Sequence, residues 1–135
     1  MKDIESATSF FGATDKFAVE TLGARIDEVG DGRAIVSLIL EAKHRRVENA
    51  VQGGVMFTLG DYAFAVATND EDTRVVSVSN TINFHHQPKG ERLLAEATLE
   101  SRGNTIQSYF VRITDELGTL VATMTVTGYT IHKKG

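Results

Sequence analysis

Residues 53–68 read GGVMFTLGDYAFAVAT, and this stretch decides the fold. As a helix it would be apolar around its whole circumference, and a helix of that kind lies in the core of a protein. It opens with two glycines, is short for a bilayer crossing and carries a carboxylate near its middle, which is not the pattern of a membrane span. The stretch therefore predicts a long buried helix inside a globular domain.

Asp61 is the only acid in this predicted helix. A lone carboxylate in an apolar environment is costly unless it is paired or used in chemistry. The position alone leaves two interpretations open. Either an arginine or a group of backbone amides neutralises Asp61, or Asp61 is a catalytic group.

Composition limits the function classes. The chain has 135 residues, a formal net charge of -4 and no cysteine. This length fits one domain, residues 1–135, and the lack of cysteine excludes disulfides, a thiolate nucleophile and cysteine-type zinc sites. Interspersed acids and bases argue against a nucleic-acid partner bound through a broad basic face. The first residues contain acids where a signal peptide would be apolar, so a cytoplasmic protein is expected.

The first half of the chain contains a helical segment and a hairpin. Residues 1–20 have scattered apolar side chains that favour one or two short helices packed on the core. The runs LGARIDEV (22–29) and RAIVSLIL (33–40) flank a GDG turn, which predicts a β-hairpin. A polar connection over 41–52 leads into the apolar helix, and a turn near 69–72 follows that helix.

Four strand-like runs follow, separated by PKGE, RGN and DELG, which are favourable turn sequences. Their short spacing predicts that they pair consecutively as antiparallel strands. In one run, alternate residues are apolar, so one strand face is buried: Leu93, Ala95, Ala97 and Leu99. A single helix this apolar is covered only if the sheet curves around it. The predicted fold is α+β, with an antiparallel sheet of about six strands wrapped around one long central helix.

The segment VQGGVMFTLGDYAFAVATN (51–69) resembles the central-helix signature of the hotdog superfamily, in particular the acyl-CoA thioesterases of the phenylacetic-acid-pathway (PaaI-like) type. LGARI (22–26), TINFHHQPKG (81–90) and the strand-rich end also fall where such a domain has them. The resemblance implies hydrolysis of an acyl-CoA substrate without a metal or other cofactor. It also implies an obligatory homodimer, often a homotetramer formed as a dimer of dimers.

The residues before the helix depart from the family pattern. Gln52 replaces the usual His ahead of the two glycines, and a glutamine orients a carbonyl but cannot shuttle a proton. Asn49 stands where the family often has Gly, and Arg46 stands where it often has Asn.

The resemblance also implies site residues on both sides of the helix start. It assigns catalysis to Asp61, Gly53 and Gln52, and substrate contacts to Asn49, Gly54 and Ser77. Ser77 falls where some relatives carry a hydroxyl that faces the catalytic Asp. Regular strand alternation would put Ser79 and Thr81 on the same face as Ser77.

Simple chemistry supports the assignments on the helix. The helix start offers unpaired N–H groups and a positive dipole end, so Gly53 and Gly54 can stabilise an oxyanion. Asp61 can act as general base on water or attack the thioester carbonyl itself. It lies eight residues beyond Gly53, roughly 12 Å along the helix axis. One thioester cannot reach both, so we expect a two-fold dimer in which each subunit contributes one of them.

Other candidate residues have simpler explanations. His85 and His86 are adjacent on a strand and point to opposite faces, so they cannot chelate one metal ion and are expected at the surface or at a dimer contact. His44 and His132 are expected to face solvent. Basic side chains can hold the phosphates of coenzyme A, and no one of them stands out: Lys43, Arg45, Arg46, Lys89, Arg92 and Arg102. Aromatic rings can line an acyl tunnel or pack in the core: Phe57, Tyr62, Phe64 and Phe84.

The sequence therefore predicts a homodimeric acyl-CoA thioesterase of a hotdog fold. A non-catalytic acyl-CoA binding or sensing domain is the alternative from another class, because the same helix amides can hold a thioester without cleaving it. A hotdog dehydratase is less favoured, since those enzymes use a His that Gln52 does not supply.

Overall fold

A computed structural model describes residues 3–132. The helices are α1 (Ile4–Thr14) and α2 (Gly53–Thr68), with a π-helical segment over Phe17–Leu22 between α1 and the first strand. Short 3-10 turns occupy Ala42–His44 and Val47–Asn49 in the connection before α2. The strands are β1 (Arg25–Gly30), β2 (Arg33–Ile39), β3 (Arg74–Phe84), β4 (Arg92–Arg102), β5 (Ile106–Asp115) and β6 (Leu120–Ile131).

The six strands form one antiparallel sheet in the order β1-β2-β4-β5-β6-β3. This sheet curves around α2, whose core-facing residues include Leu59, Ala63 and Val66, all with no exposed surface. They pack against inward residues of the sheet such as Leu93 and Ala95, which are equally buried. The predicted α+β architecture, with about six strands around one central helix, is confirmed.

The position of β3 differs from the prediction. The four C-terminal strands were expected to pair consecutively, but β3 pairs with β6 at the edge of the sheet and β4 pairs with β2 and β5. Segment 85–91 is therefore a crossover rather than a hairpin turn. It passes the start of β6, where the Val121 carbonyl accepts a hydrogen bond from His85 N–H, and the end of β5, where Asp115 accepts from Gly90 N–H.

A β-bulge at Val78 changes which β3 residues share a face. Ser77 lies opposite Gly128 on β6, whereas Ser79 lies opposite Thr127, one position earlier, so the register shifts between them. Directly opposed residues share a sheet face, and neighbouring residues on one strand do not. The expectation that Ser79 shares a face with Ser77 is therefore wrong, and Ser77 shares the helix-facing side with Asn80, opposite the buried Val126.

The N-terminal segment packs on α2 as the amphipathic pattern predicts. Asp3 caps α1 by accepting a hydrogen bond from Ser6 N–H at 2.8 Å. The buried Phe11 ring meets Tyr62 of α2 edge to face, with 5.7 Å between centroids. Within residues 3–132, no helix has the length and apolar character needed to cross a membrane.

Candidate active site

The start of α2 leaves its first backbone N–H groups free. Gln52 precedes the helix with an extended backbone, and its side chain makes no capping hydrogen bond. Within residues 3–132, no group accepts a hydrogen bond from Gly53 N–H or Gly54 N–H. Unpaired N–H groups at a helix start form a site for negative charge. Space at residue 53 is also tight, because a Cβ there would lie 3.1 Å from the Phe84 ring, which would have to shift slightly.

A cavity of about 440 Å³ opens beside this helix start. Its apolar lining consists of Val51, Gly53, Met56 and Phe84. Its polar or basic lining consists of Arg46, His85, His86 and Gln87. Apolar walls with a few polar groups are typical of a small-molecule site. Of the six predicted site residues, only Gly53 lines this cavity within the single subunit. Of the basic residues considered for phosphate binding, Arg46 lines it.

Asp61 lies on α2 with its side chain half-buried. It makes no hydrogen bond or ion pair with any residue between 3 and 132, so the interpretation as a structural ion pair has no support in the described part of the chain. Burial raises the pKa of the Asp61 carboxyl above its ordinary value, and the nearby Asp15 carboxylate raises the pKa further. A carboxyl whose pKa is raised by burial and by a like charge is a candidate for acid–base chemistry.

Asp15 influences Asp61 electrostatically, and the sequence analysis did not single it out. It lies between α1 and the π-helical segment, where its Oδ1 accepts a hydrogen bond from Ala18 N–H at 3.1 Å. Its own N–H donates to the Phe11 carbonyl at 2.7 Å, so both ends of the residue are fixed. An acid between two short helical runs is a recognisable helix-capping signal. Its closeness to Asp61 depends on how α1 packs on α2, which no local pattern reveals.

Two other predicted site residues come from different elements, Asn49 from the connection before α2 and Ser77 from β3. Asn49 is exposed and has a left-handed backbone with φ of 61°, as does Glu48 with φ of 59°. Non-glycine residues with such φ values are uncommon and often mark functional loops. Ser77 is half-buried, and its hydroxyl accepts a hydrogen bond from Asn80 Nδ2 at 3.2 Å.

His44 does not face solvent, contrary to the prediction. It is 2% exposed, and both ring nitrogens are used. Glu41 N–H donates to Nδ1 at 2.9 Å, so the Leu22 carbonyl, which can only accept, receives the proton of Nε2 at 2.8 Å. The residue ties the connection before α2 to the end of the π-helical segment. His132 is exposed, as predicted.

A second cavity, of about 530 Å³, lies at the opposite end of α2. Ala67 and Thr68 from the helix line it together with Arg102, Gln107 and Tyr109. Tyr109 is fully buried, and burial raises the pKa of its hydroxyl although the neighbouring Arg102 opposes that effect. Of the aromatic rings considered for an acyl tunnel, Tyr62 and Phe64 are core residues, whereas Phe84 lines the first cavity.

Known proteins resemble the chain over most of its length. The sequence model of the thioesterase superfamily matches residues 48–122. A putative esterase from Archaeoglobus fulgidus is 29% identical over 131 residues, which cover 96% of this chain and 84% of the relative. The acyl-coenzyme A thioesterase PaaI from Escherichia coli is 29% identical over 104 residues, which cover 76% of this chain and 74% of the relative.

Solved structures share the architecture. The Escherichia coli PaaI protein from the phenylacetic acid degradation operon superposes with a TM-score of 0.85 at 24% identity, covering 97% of both chains. A mutant of the phenylacetic acid degradation protein PaaI from Thermus thermophilus superposes with a TM-score of 0.76 at 27% identity, covering 83% of this chain and 96% of the other. The helix wrapped by an antiparallel sheet is thus the hotdog fold. Since the family match spans more than half of the sequence, the chain belongs to the thioesterase superfamily and is a thioester hydrolase of the PaaI-like type.

Proposed function

We propose that this protein is a homodimeric acyl-CoA thioesterase that hydrolyses a thioester to a free carboxylic acid and coenzyme A. The observation that carries the proposal is the half-buried Asp61 carboxylate on a helix whose first N–H groups are free, neither of which has a partner among residues 3–132. The substrate class is supported by the Escherichia coli relative, which is named an acyl-coenzyme A thioesterase.

In the proposed reaction, the thioester carbonyl oxygen lies against the N–H of Gly53 at the positive end of α2. The carbonyl is polarised there, and negative charge on the oxygen is stabilised as the tetrahedral intermediate forms. Gln52 orients the carbonyl, and the exposed Asn49 and Gly54 contact the substrate at the helix start. Asp61 either activates a water molecule as general base or attacks the carbonyl carbon to form an anhydride that water then cleaves. Both routes release coenzyme A as the thiol.

Each proposed site combines Asp61 of one subunit with Gly53 of the other. The two residues lie about 12 Å apart along the axis of one helix, too far to act on one carbonyl. A two-fold axis beside α2 would bring the helix start of one subunit next to the middle of the other helix. Ser77, on the helix-facing side of β3, would then contribute a hydroxyl near Asp61.

The edge strand β3 supports this dimer. Among the strands of the described residues it pairs with β6 alone, so its other side has no strand partner there. Val78 is 59% exposed and Phe84 is 55% exposed on this edge. A long edge strand with exposed apolar side chains is a ready surface for pairing with another chain. Pairing of β3 with β3 of a second copy would cover these side chains and extend the sheet across the dimer.

A free-thiol release assay tests the proposal. Wild type should release coenzyme A from at least one member of a panel of aryl, short-chain and long-chain acyl-CoAs. Binding of acyl-CoA without release of thiol would favour the non-catalytic sensor instead. Hydration of a 2-enoyl-CoA without thiol release would favour a dehydratase. If the protein neither bound nor hydrolysed any member of the panel, the proposal would be contradicted outright.

A further inference from the structure

The crossover between β3 and β4 is held by backbone hydrogen bonds beside the helix start. Two pairs of backbone N–H groups hold it, the pair from 85–86 on the Val121 carbonyl and the pair from 89–90 on Oδ2 of Asp115, at distances of 2.8 to 3.3 Å. Gln87 lies between these two anchors. Its main chain therefore has little freedom, although its side chain is on the surface.

The Gln87 side chain binds the main chain of Val51 as a neighbouring strand would. Oε1 accepts a hydrogen bond from Val51 N–H at 2.7 Å, and Nε2 donates to the Val51 carbonyl at 3.4 Å. Val51 is 1% exposed and lies two residues before Gly53. Gln87 and Gly53 line the same cavity.

Side-chain hydrogen bonds of His44 and Gln87 hold the connection before α2 to segments distant in the sequence. Residues 44–52 form a small hairpin closed by its own hydrogen bonds, such as Gln52 N–H to the His44 carbonyl at 2.9 Å. His44 Nε2 holds one of its two arms to Leu22. Gln87 holds the other arm, which is the one that continues directly into α2.

We propose that Gln87 is a positioning residue for the reaction: by fixing Val51, it aims the Gly53 N–H at the carbonyl oxygen of the bound thioester. This inference rests on the proposed thioesterase function of the same site. An oxyanion donor must lie within about 2.7–3.1 Å of the oxygen to stabilise the transition state. A displacement of about 1 Å at such a group can cost on the order of a hundredfold in rate. The Gln87 hydrogen bonds are partly buried and their loss lowers stability, so circular dichroism and thermal unfolding must first establish that the Gln87 variants are folded.

The test compares Gln87→Met with Gln107→Met. Methionine keeps the length of the side chain and removes its hydrogen bonds. Gln107 is 8% exposed and donates to Thr130 Oγ1 at the far end of the fold, so its variant controls for the loss of a glutamine hydrogen bond. In Gln87→Met we expect kcat for acyl-CoA hydrolysis to fall about tenfold or more with KM nearly unchanged, because only transition-state stabilisation is lost. In Gln107→Met, kcat should equal that of wild type.

A rescue variant and a spectroscopic signature complete the test. Gln87→Glu keeps an oxygen for Val51 N–H and loses the longer hydrogen bond, from Nε2 to the Val51 carbonyl. Its kcat should therefore lie between those of wild type and Gln87→Met. Amide NMR signals of Val51 and Gly53 should shift in Gln87→Met and stay in place in Gln107→Met. Unchanged Gly53 signals, or a kcat drop of equal size in both methionine variants, would overturn the proposal. If wild type hydrolyses no acyl-CoA, the proposed function fails, and the Gly53 signals alone decide whether Gln87 positions the helix start.

Discussion

Asp15, which follows α1, lies near enough to Asp61 of α2 for its carboxylate to raise the pKa of Asp61 beyond the increase that burial causes. The two acids are 46 positions apart in the sequence, and within residues 3–132 Asp15 has a local partner, the N–H of Ala18, whereas Asp61 has none. A like charge nearby disfavours ionisation of the buried carboxyl. The N-terminal segment therefore influences the electrostatics of the proposed base.

We predict that Asp15→Asn moves the acid side of the pH–rate profile to lower pH. The asparagine keeps an oxygen for Ala18 N–H and removes only the charge. Asp61 must be ionised to act as base or nucleophile, so activity rises with pH as this group loses its proton. Without the Asp15 charge, the pKa of Asp61 decreases, and the rise in activity begins at lower pH. The measurement is kcat/KM against pH for wild type and the variant.

Asp31→Asn is the matched control for this experiment. Asp31 is an exposed acid that pairs with Arg102 at 3.1 Å and lines the cavity at the other end of α2. Removing the Asp31 charge should not move the acid side of the pH–rate profile. If Asp15→Asn also left it in place, the influence of Asp15 on the reactive group would be refuted.

Asp61→Asn separates a catalytic role from a structural one. The substitution keeps the size of the side chain and removes the base, so we expect kcat to fall about a hundredfold or more with little change in acyl-CoA binding. Because Asp61 has no partner within residues 3–132 and its charged form is disfavoured by burial, the thermal midpoint of the variant should equal or exceed that of wild type. Thiol release and thermal unfolding are measured on the same preparation. A large decrease in the midpoint, or turnover close to wild type, would count against the catalytic assignment.

Asp115→Asn tests the anchor of the crossover that carries Gln87. The buried Asp115 accepts hydrogen bonds from four backbone N–H groups: those of Lys89, Gly90, Leu117 and Thr119. Burial alone would raise its pKa, but the hydrogen bonds outweigh that effect and bring the pKa to about 2. An asparagine leaves some of these donors without an acceptor, which costs about 1–3 kcal/mol in the free energy of unfolding.

The pH dependence of this stability follows from the direction in which folding changes the pKa of Asp115. The pKa of Asp115 is about 2 in the folded protein, and an aspartate in an unfolded chain has a pKa of about 3.9. The contribution of the carboxylate is therefore fully present above about pH 4 and is lost as the pH falls towards 2. In urea unfolding, the difference between wild type and Asp115→Asn should shrink over that interval. A difference that is constant between pH 7 and pH 2.5 would contradict the assignment.

The sequence predicts what depends on local pattern. Helix α2 follows from a stretch with no polar face, and the burial of Leu93 follows from simple alternation. The edge position of β3 does not follow, because segment 85–91 has the composition of a turn and its course depends on anchors at Asp115 and Val121. The bulge at Val78, which separates the face of Ser77 from that of Ser79, also has no clear local signal.

The same division holds for the candidate site. Gly53 and Asp61 are recognisable because a helix start and a lone acid in an apolar run have direct chemical meaning. The long-range roles of Asp15, His44 and Gln87 are not recognisable, since each acts on a segment distant in sequence. His44 reaches Leu22 and Gln87 reaches Val51, 22 and 36 positions away. Contacts of that range arise only when the tertiary structure forms.

The shared site is tested by mixing two inactive variants, Asp61→Asn and Gly53→Pro. Proline removes the N–H of residue 53 and is well tolerated at the first position of a helix. Gln52 has φ of -59° and ψ of 133°, a conformation compatible with a following proline. Because the Phe84 ring lies close to this position, circular dichroism and thermal unfolding must first establish that Gly53→Pro is folded.

If each site takes its N–H from one subunit and its carboxylate from the other, a heterodimer places both defects in one site and leaves the second site intact. Each heterodimer should then have about half of the wild-type activity, because one of its two sites is complete. Subunit exchange is followed with two affinity tags, and thiol release is measured on the purified heterodimer. If both groups act within one subunit, every site carries a defect and mixing restores nothing. A purified heterodimer of two folded variants that remains inactive would rule out the cross-subunit mechanism.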